Sequence, residues 1–146
     1  YAAEVMRMVR HRFGEDVHVM AEPGRGLVAE AGVIVAEVLL VSRKDQDDFA
    51  RWVYLDIGKF SGLAETMDES IKYRLRTPGE GTRMGPVVLA GPTCDSADIL
   101  YEKTEYKMPR SLKPGDKVEI LSTGAYTTTY SSVAFNGFAP LKAVCI

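Results

Sequence analysis

Glu22, Pro23, Gly24 and Arg25 follow one another and combine an acid, a rigid turn and a cation. Glycine lets a backbone approach a ligand closely, and proline fixes the turn. An arginine guanidinium donates to two phosphate oxygens at once, so this segment is typical of an anion site. The carboxylate of Glu22 can then pair with a different, positively charged group. An ordinary surface turn is the alternative that these four residues alone leave open.

Three later segments carry further residues of interest. Residues 91–98 read Gly-Pro-Thr-Cys-Asp-Ser-Ala-Asp, residues 124–127 read Gly-Ala-Tyr-Thr, and residues 135–138 read Phe-Asn-Gly-Phe. With residues 22–25, and in this order, they resemble the C-terminal half of the pyridoxal-phosphate decarboxylases of the alanine-racemase-like fold type III. That family includes the ornithine, lysine, arginine and diaminopimelate decarboxylases. The resemblance covers residues 15–140 and is closest to the bacterial ornithine/lysine branch.

The resemblance implies a cofactor, pyridoxal 5'-phosphate, and four residues that bind it. Glu22 matches the glutamate that pairs with the pyridine nitrogen, where an opposite charge keeps the ring cationic and electron-accepting. Gly24 and Arg25 match the phosphate-binding pair. Tyr126 matches a tyrosine whose hydroxyl reaches the same phosphate, although a buried core tyrosine is the alternative.

The resemblance also implies catalytic and substrate-binding residues. Cys94 matches a thiol that returns a proton to the α-carbon after decarboxylation, as a general acid. Asp95 matches the carboxylate that binds the distal ammonium of the substrate, whereas we expect Asp98 to close the turn. Both Cys94 and Asp95 would serve the cofactor of a neighbouring subunit, since sites of this family form at a two-fold dimer interface. Phe135 matches an aromatic that lines the pocket, with a plain core phenylalanine as an equal alternative.

Asp56 is the last candidate substrate-binding residue. Eukaryotic ornithine decarboxylases read Asp-Gly-x-Tyr-Gly-Ser, and alignment on Gly58 places Ile57 at the acidic position and Asp56 one residue earlier. That offset predicts a water between Asp56 and the substrate amine. The pattern therefore does not separate ornithine from lysine.

The elements that must position these residues follow from hydrophobic spacing. Residues 1–13 have helical periodicity, residues 17–21 alternate as a strand does, and residues 27–31 favour a short helix. The β-branched run 33–41 is typical of a strand buried on both faces. Shorter strands are predicted at the following residues: 52–57, 71–76, 86–90, 99–106, 117–121 and 142–146.

Together with the resemblance, this order predicts an α/β plus β architecture. We expect residues 1–35 to be the last part of a TIM (β/α)8 barrel that binds the cofactor, and its remainder to lie outside this sequence. Residues 36–146 are expected to form an antiparallel β-sandwich or barrel, with residues 124–138 returning to the cofactor site.

Composition excludes several classes of protein. The 146 residues are 46% apolar and carry a net charge of −2 without a basic stripe, which argues against nucleic-acid binding. Cys94 and Cys145 have no metal-ligand spacing, so we predict no metal site and a reducing, cytoplasmic location. No apolar run is long enough to predict a membrane segment.

The resulting prediction is the C-terminal portion of a decarboxylase that converts ornithine, lysine or both to putrescine or cadaverine in polyamine biosynthesis. The family's Schiff-base lysine has no match here, so this chain by itself is predicted to be inactive. We expect it to work with the N-terminal barrel half, in the same or a separate chain, as a homodimer with shared active sites. The alternatives are a diaminopimelate or carboxynorspermidine decarboxylase, and a non-catalytic homologue of the antizyme-inhibitor type.

Overall fold

The computed structural model describes residues 1–79 and 81–146. Its helix and strands are α1 (Ala2–Phe13), β1 (Val33–Ser42), β2 (Arg51–Leu55), β3 (Leu75–Arg76), β4 (Met84–Ala90), β5 (Ile99–Pro109) and β6 (Lys117–Leu121). Short 3-10 turns lie at Arg25–Leu27, Ala29–Ala31, Ala64–Glu69, Thr128–Tyr130 and Phe135–Gly137. No helix in the described part of the chain has the length and apolarity needed to cross a membrane.

The six strands form one curled, mixed sheet in the order β3-β6-β1-β2-β4-β5. The neighbouring strands β2 and β4 are parallel, and every other pair is antiparallel. The prediction of a purely antiparallel sandwich or barrel is therefore wrong. The long connection 56–83 leads from the end of β2 back to the start of β4, which is what a parallel pair requires.

The central strand β1 also differs from its prediction. Ile34, Ala36 and Val38 are buried, whereas Val33 and Val35 are more than half exposed. The strand is therefore covered on one face, not on both as predicted. A run of β-branched residues satisfies either arrangement, so the sequence did not separate them.

The predicted end of a TIM barrel is not in this chain. Residues 17–21 form no strand, and Met20 is 92% exposed. A strand needs a neighbour for its N–H and C=O groups, and no strand among the described residues pairs with this segment. The predicted boundary between residues 35 and 36 falls inside β1 and stays a prediction.

Other elements were predicted with mixed success. The helix over residues 1–13 and the strands at 86–90, 99–106 and 117–121 are confirmed, and the strand at 52–57 is confirmed in shorter form. The strand at 71–76 shortens to Leu75–Arg76, the helix at 27–31 is instead two 3-10 turns, and residues 142–146 form no strand.

The sheet topology decides where the site residues lie. The start of β1 pairs with the end of β6, the end of β2 pairs with the middle of β1 at Val38, and the parallel strands β2 and β4 end together. The segments that follow β2, β4 and β6 therefore emerge at the same end of the sheet. Those segments contain Asp56, Cys94 and Tyr126.

Glu69 fixes the connection 56–83 against strand β5. Its carboxylate accepts hydrogen bonds from the backbone N–H groups of Glu102, Lys103 and Thr104 at 2.8, 2.6 and 2.7 Å. Burial by itself would raise the pKa of Glu69, but the hydrogen bonds from Thr104, Glu102 and Lys103 outweigh it and lower the pKa to about 2.

We expect Glu69→Gln to destabilise the protein by about 1–3 kcal/mol at neutral pH. The NH₂ group of the glutamine side chain would face at least one backbone N–H, and two donors cannot form a hydrogen bond with each other. Since the folded pKa lies below the ordinary value of 4.5, the stabilisation by Glu69 is present above that value and is lost as the pH falls toward 2. Urea unfolding at pH 7 and pH 3 measures the free energy of unfolding of wild type and Glu69→Gln. The difference between the two proteins should be smaller at pH 3 than at pH 7. An equal difference at both pH values would contradict the lowered pKa of Glu69.

Candidate functional site

Gly32 and Gly124 bring two distant segments into contact. A Cβ on Gly32 would lie 2.4 Å from the Gly124 nitrogen, and one on Gly124 would lie 1.9 Å from the Val28 carbonyl oxygen. Gly124 N–H donates to the Ala29 carbonyl at 2.9 Å, and Thr123 N–H donates to the Gly32 carbonyl at 2.9 Å. Only glycine permits this approach, so the backbone itself places residues 124–127 beside residues 24–32.

Arg25 and Tyr126 meet as a result. The Arg25 guanidinium carbon lies 5.1 Å from the centre of the Tyr126 ring, a cation–π contact. A Cβ on Gly24 would lie 3.4 Å from the Tyr126 hydroxyl, so that hydroxyl also faces the turn. The convergence of residues 24, 25 and 126, expected from the sequence, is thus present in the structure. What these residues bind is a separate question.

Glu65 holds Arg25 from the other side. The two Nη groups of Arg25 donate to the two carboxylate oxygens of Glu65 at 2.8 and 2.7 Å. This paired hydrogen bond, more than any other interaction, raises the pKa of Arg25. The Arg25 side chain is 39% exposed, so it is accessible to a ligand, and an arginine has further N–H groups besides the two that Glu65 accepts. We call Gly24, Arg25, Glu65 and Tyr126 the anion cluster.

Tyr73 lies next to this cluster. Burial, followed by the negative charge of Glu65, raises the pKa of Tyr73. The Tyr73 hydroxyl is buried without a hydrogen-bond partner among residues 1–79 and 81–146. A buried polar group in that state has unused capacity for a partner.

Asp98 organises a second cluster at the same end of the sheet. Its carboxylate accepts hydrogen bonds from Lys59 N–H at 2.7 Å, Thr93 N–H at 3.2 Å and the Thr93 hydroxyl at 2.7 Å. A Cβ on Gly58 or Gly91 would lie 2.1 or 2.3 Å from the Asp98 carboxylate oxygens. Asp98 therefore closes its turn, as predicted, and ties that turn to the segment after β2.

Cys94 and Asp95 lie at the tip of the turn that Asp98 fixes. The thiol of Cys94 is exposed, and the residue adopts a left-handed conformation with φ of 60°. The Asp95 carboxylate accepts a hydrogen bond from Ala97 N–H at 2.8 Å. Hydrogen bonds hold the turn, and its exposed Cys94 thiol is accessible to a ligand or a partner. We call residues 91–98 the thiol turn.

The segment that contains Tyr126 continues to the thiol turn. Phe135 stacks on Phe60 with ring centres 3.9 Å apart, and the Asn136 amide donates to the Thr93 carbonyl at 3.0 Å. Residues 124–138 thus connect Tyr126 of the anion cluster with the thiol turn, and their predicted return to a cofactor site stays a prediction. Phe135 lies between the thiol turn and the segment after β2.

Glu22 and Asp56 are placed differently. Glu22 is exposed and makes no hydrogen bond or ion pair with the described residues. The Asp56 carboxylate accepts a hydrogen bond from Glu37 N–H at 2.8 Å and borders a cavity of about 200 Å³ with residues 139–142. Neither side chain forms a hydrogen bond or ion pair with the anion cluster in the described residues, so their roles stay predictions.

The described residues contain no group of three or more His, Cys, Asp or Glu that could hold a metal ion. Sequence reasoning missed Glu65, which lies 40 positions from Arg25, and Asn136. Glu65 has no local signal, because a contact over that distance is visible only in the fold. Asn136 lies inside the Phe-Asn-Gly-Phe pattern and was nevertheless not singled out.

Comparison with known proteins identifies the domain. Residues 8–124 match the family model described as pyridoxal-dependent decarboxylase, C-terminal sheet domain. The chain belongs to this decarboxylase family. The cofactor of the family is pyridoxal phosphate, and the anion cluster lies partly within and partly just after the matched residues.

Individual decarboxylases agree with this assignment. The diaminopimelate decarboxylase of Helicobacter pylori is 34% identical over 121 residues, which are 82% of this chain and 28% of that protein. The lysine/ornithine decarboxylase of Selenomonas ruminantium is 33% identical over 87% of this chain and 30% of that protein. The crystal structure of the Vibrio vulnificus lysine/ornithine decarboxylase complexed with cadaverine superposes with a TM-score of 0.76 at 35% identity, over 92% of this chain and 35% of that one. This decarboxylase domain thus spans about a third of its relatives' length.

Proposed function

We propose that this domain serves an amino-acid decarboxylase of ornithine or lysine, which forms putrescine or cadaverine, and that it supplies part of the phosphate anchor of the cofactor. The observation that carries the proposal is the meeting of Arg25 and Tyr126 beside Gly24. A guanidinium, a phenol and a turn without a side chain form a donor set that fits a phosphate. The lysine/ornithine decarboxylases among the relatives support the substrate class.

Pyridoxal phosphate, when bound, supplies a ring that accepts the electrons left by carbon dioxide. Arg25 and Tyr126 donate hydrogen bonds to its phosphate in this proposal. Glu22 pairs with the pyridine nitrogen and stabilises the charge there.

The thiol turn acts in a neighbouring subunit. We place Cys94 and Asp95 at the partner's cofactor, so that the assembly is a homodimer whose barrel halves lie outside the present chain. The Cys94 Sγ–H donates a proton to the α-carbon, and the Asp95 carboxylate binds the distal ammonium of the substrate. The exposure of the Cys94 thiol supports this role, because a thiol that serves another subunit must be accessible. Phe135 and Asp56 border the substrate in the same proposal.

Diaminopimelate decarboxylase is the second candidate, and the 34% identity to the Helicobacter pylori enzyme favours it. That substrate carries a second carboxylate, which calls for a cation near the distal end. The thiol turn, residues 91–98, contains no Lys or Arg, which favours a substrate whose distal group is an ammonium.

Product analysis of the complete protein with ornithine, lysine and meso-diaminopimelate tests the proposal. We expect putrescine or cadaverine to form with added pyridoxal phosphate. Formation of lysine from diaminopimelate would support the second candidate instead, and no decarboxylation of any of the three would overturn both.

Arg25→Ala is expected to weaken the binding of pyridoxal phosphate by about 1.5–3 kcal/mol, or roughly 10- to 150-fold in Kd. The reason is the loss of a charge-assisted hydrogen bond to the phosphate. Absorbance titration of the cofactor-free complete protein measures the change. Arg110→Ala, at the opposite end of the sheet, is the control and should leave Kd unchanged. Equal affinity of the Arg25 variant and the wild type would contradict the phosphate role.

A further inference from the structure

We infer that Glu65 is a positioning residue, which fixes Arg25 for the phosphate of the cofactor before that cofactor binds. The inference rests on the proposed function. Its basis is the paired hydrogen bond from Arg25, in which both carboxylate oxygens of Glu65 are used at 2.7 and 2.8 Å. The paired geometry fixes the orientation of the guanidinium plane as well as its position.

Glu65 is itself held rigidly. It lies between Ala64 and the fully buried Thr66, whose hydroxyl donates to the Leu63 carbonyl at 2.7 Å. The Glu65 carbonyl also accepts a hydrogen bond from Ile71 N–H at 3.1 Å. The Glu65 side chain is only 19% exposed. The carboxylate therefore has few alternative positions and can act as a fixed point for the longer, more exposed arginine.

Arg25 is then restrained from two sides. Glu65 holds its two Nη groups and the Tyr126 ring lies beside it, with the guanidinium carbon 5.1 Å from the ring centre. An arginine has five N–H groups and the pair with Glu65 uses two of them, so others remain that can donate to a phosphate. A long side chain that is already ordered loses less conformational entropy when its ligand arrives.

The negative charge of Glu65 has the opposite effect, because it repels a phosphate dianion nearby. The Glu65 carboxylate is paired with Arg25 through hydrogen bonds of 2.8 and 2.7 Å, so Arg25 offsets most of its charge. In this proposal the benefit of a fixed Arg25 exceeds the remaining repulsion, and removing Glu65 weakens cofactor binding.

Absorbance titration of the complete protein with pyridoxal phosphate tests this inference. Glu65→Ala is expected to raise Kd by about 3- to 10-fold, the effect of one side chain that must be ordered on binding. In an Arg25→Ala background the same substitution should not raise Kd further and should lower it if anything, because Glu65 favours binding only through Arg25 and its uncompensated charge repels the phosphate. Glu65→Gln, which keeps one acceptor oxygen, should fall between wild type and Glu65→Ala. Glu119→Ala, which breaks the comparable Arg76–Glu119 pair on the sheet edge, should leave Kd unchanged.

Each other outcome has a definite meaning. An unchanged or lower Kd for Glu65→Ala, or an equal rise with and without Arg25, overturns the positioning role while the proposed function stands. Absence of saturable cofactor binding by the wild type overturns the proposed function and the inference together. Thermal unfolding of each cofactor-free variant shows whether it is folded. If Glu65→Ala does not fold, the Kd of Glu65→Gln is compared with that of the wild type instead.

Discussion

Replacement of Asp98 by alanine is expected to lower the free energy of unfolding by about 3 kcal/mol or more. The substitution removes the acceptor of Lys59 N–H, Thr93 N–H and the Thr93 hydroxyl in a place where Asp98 is only 2% exposed. Buried donors left without a partner cost about 1–3 kcal/mol each. The empty space between Gly58 and Gly91 adds a cavity cost.

Chemical denaturation measures the change, with two comparison variants. Asp98→Asn keeps the shape and one acceptor oxygen but turns an N–H₂ group toward a donor, so its cost should be intermediate. Ser96→Ala, on the exposed part of the same turn, should be close to neutral. A small effect of Asp98→Ala, similar to that of Ser96→Ala, would show that the turn is held by something else.

Cys94→Ala in the complete decarboxylase is expected to slow turnover by about 10²- to 10⁴-fold, the usual contribution of a general acid. The thiol is exposed and contributes little to packing, so stability should change by less than about 0.5 kcal/mol. Misdirected protonation would appear as a product other than the expected amine. Steady-state rates and chromatography of the products measure both effects.

Cys145→Ala is the matched control, because Cys145 is the second exposed free cysteine of the described chain. It should leave turnover and product unchanged. If Cys94→Ala also retains wild-type rate and product, the proton comes from another group. A pH–rate profile that keeps its shape in Cys94→Ala would point to the same conclusion.

Much of the site could be predicted from the sequence, because its residues lie in short segments whose order resembles the family. The contact of Arg25 with Tyr126 follows from that order. Glu65 could not be predicted, since nothing near Arg25 in the sequence indicates which distant carboxylate will meet it. Asp98 was expected to close its turn, but its hydrogen bond to Lys59 N–H depends on the parallel alignment of β2 and β4, which the sequence did not predict.

The fold was predicted where local signals agree with tertiary pairing. Strand β6 at Lys117–Leu121 combines alternation with a Pro-Gly turn before it, and its bounds are confirmed. Residues 17–21 alternate in the same way but have no neighbouring strand in the part of the chain that the structure describes. Alternation shows that a segment is able to pair, whereas pairing itself depends on what lies beside it.

Gly32 and Gly124 have no side chain that could bind a ligand, yet their close approach determines the distance between the Tyr126 hydroxyl and the Arg25 guanidinium. An alanine at either position would push the two segments apart. Such a variant would lose the cofactor because Arg25 and Tyr126 are too far apart, although both side chains are still present.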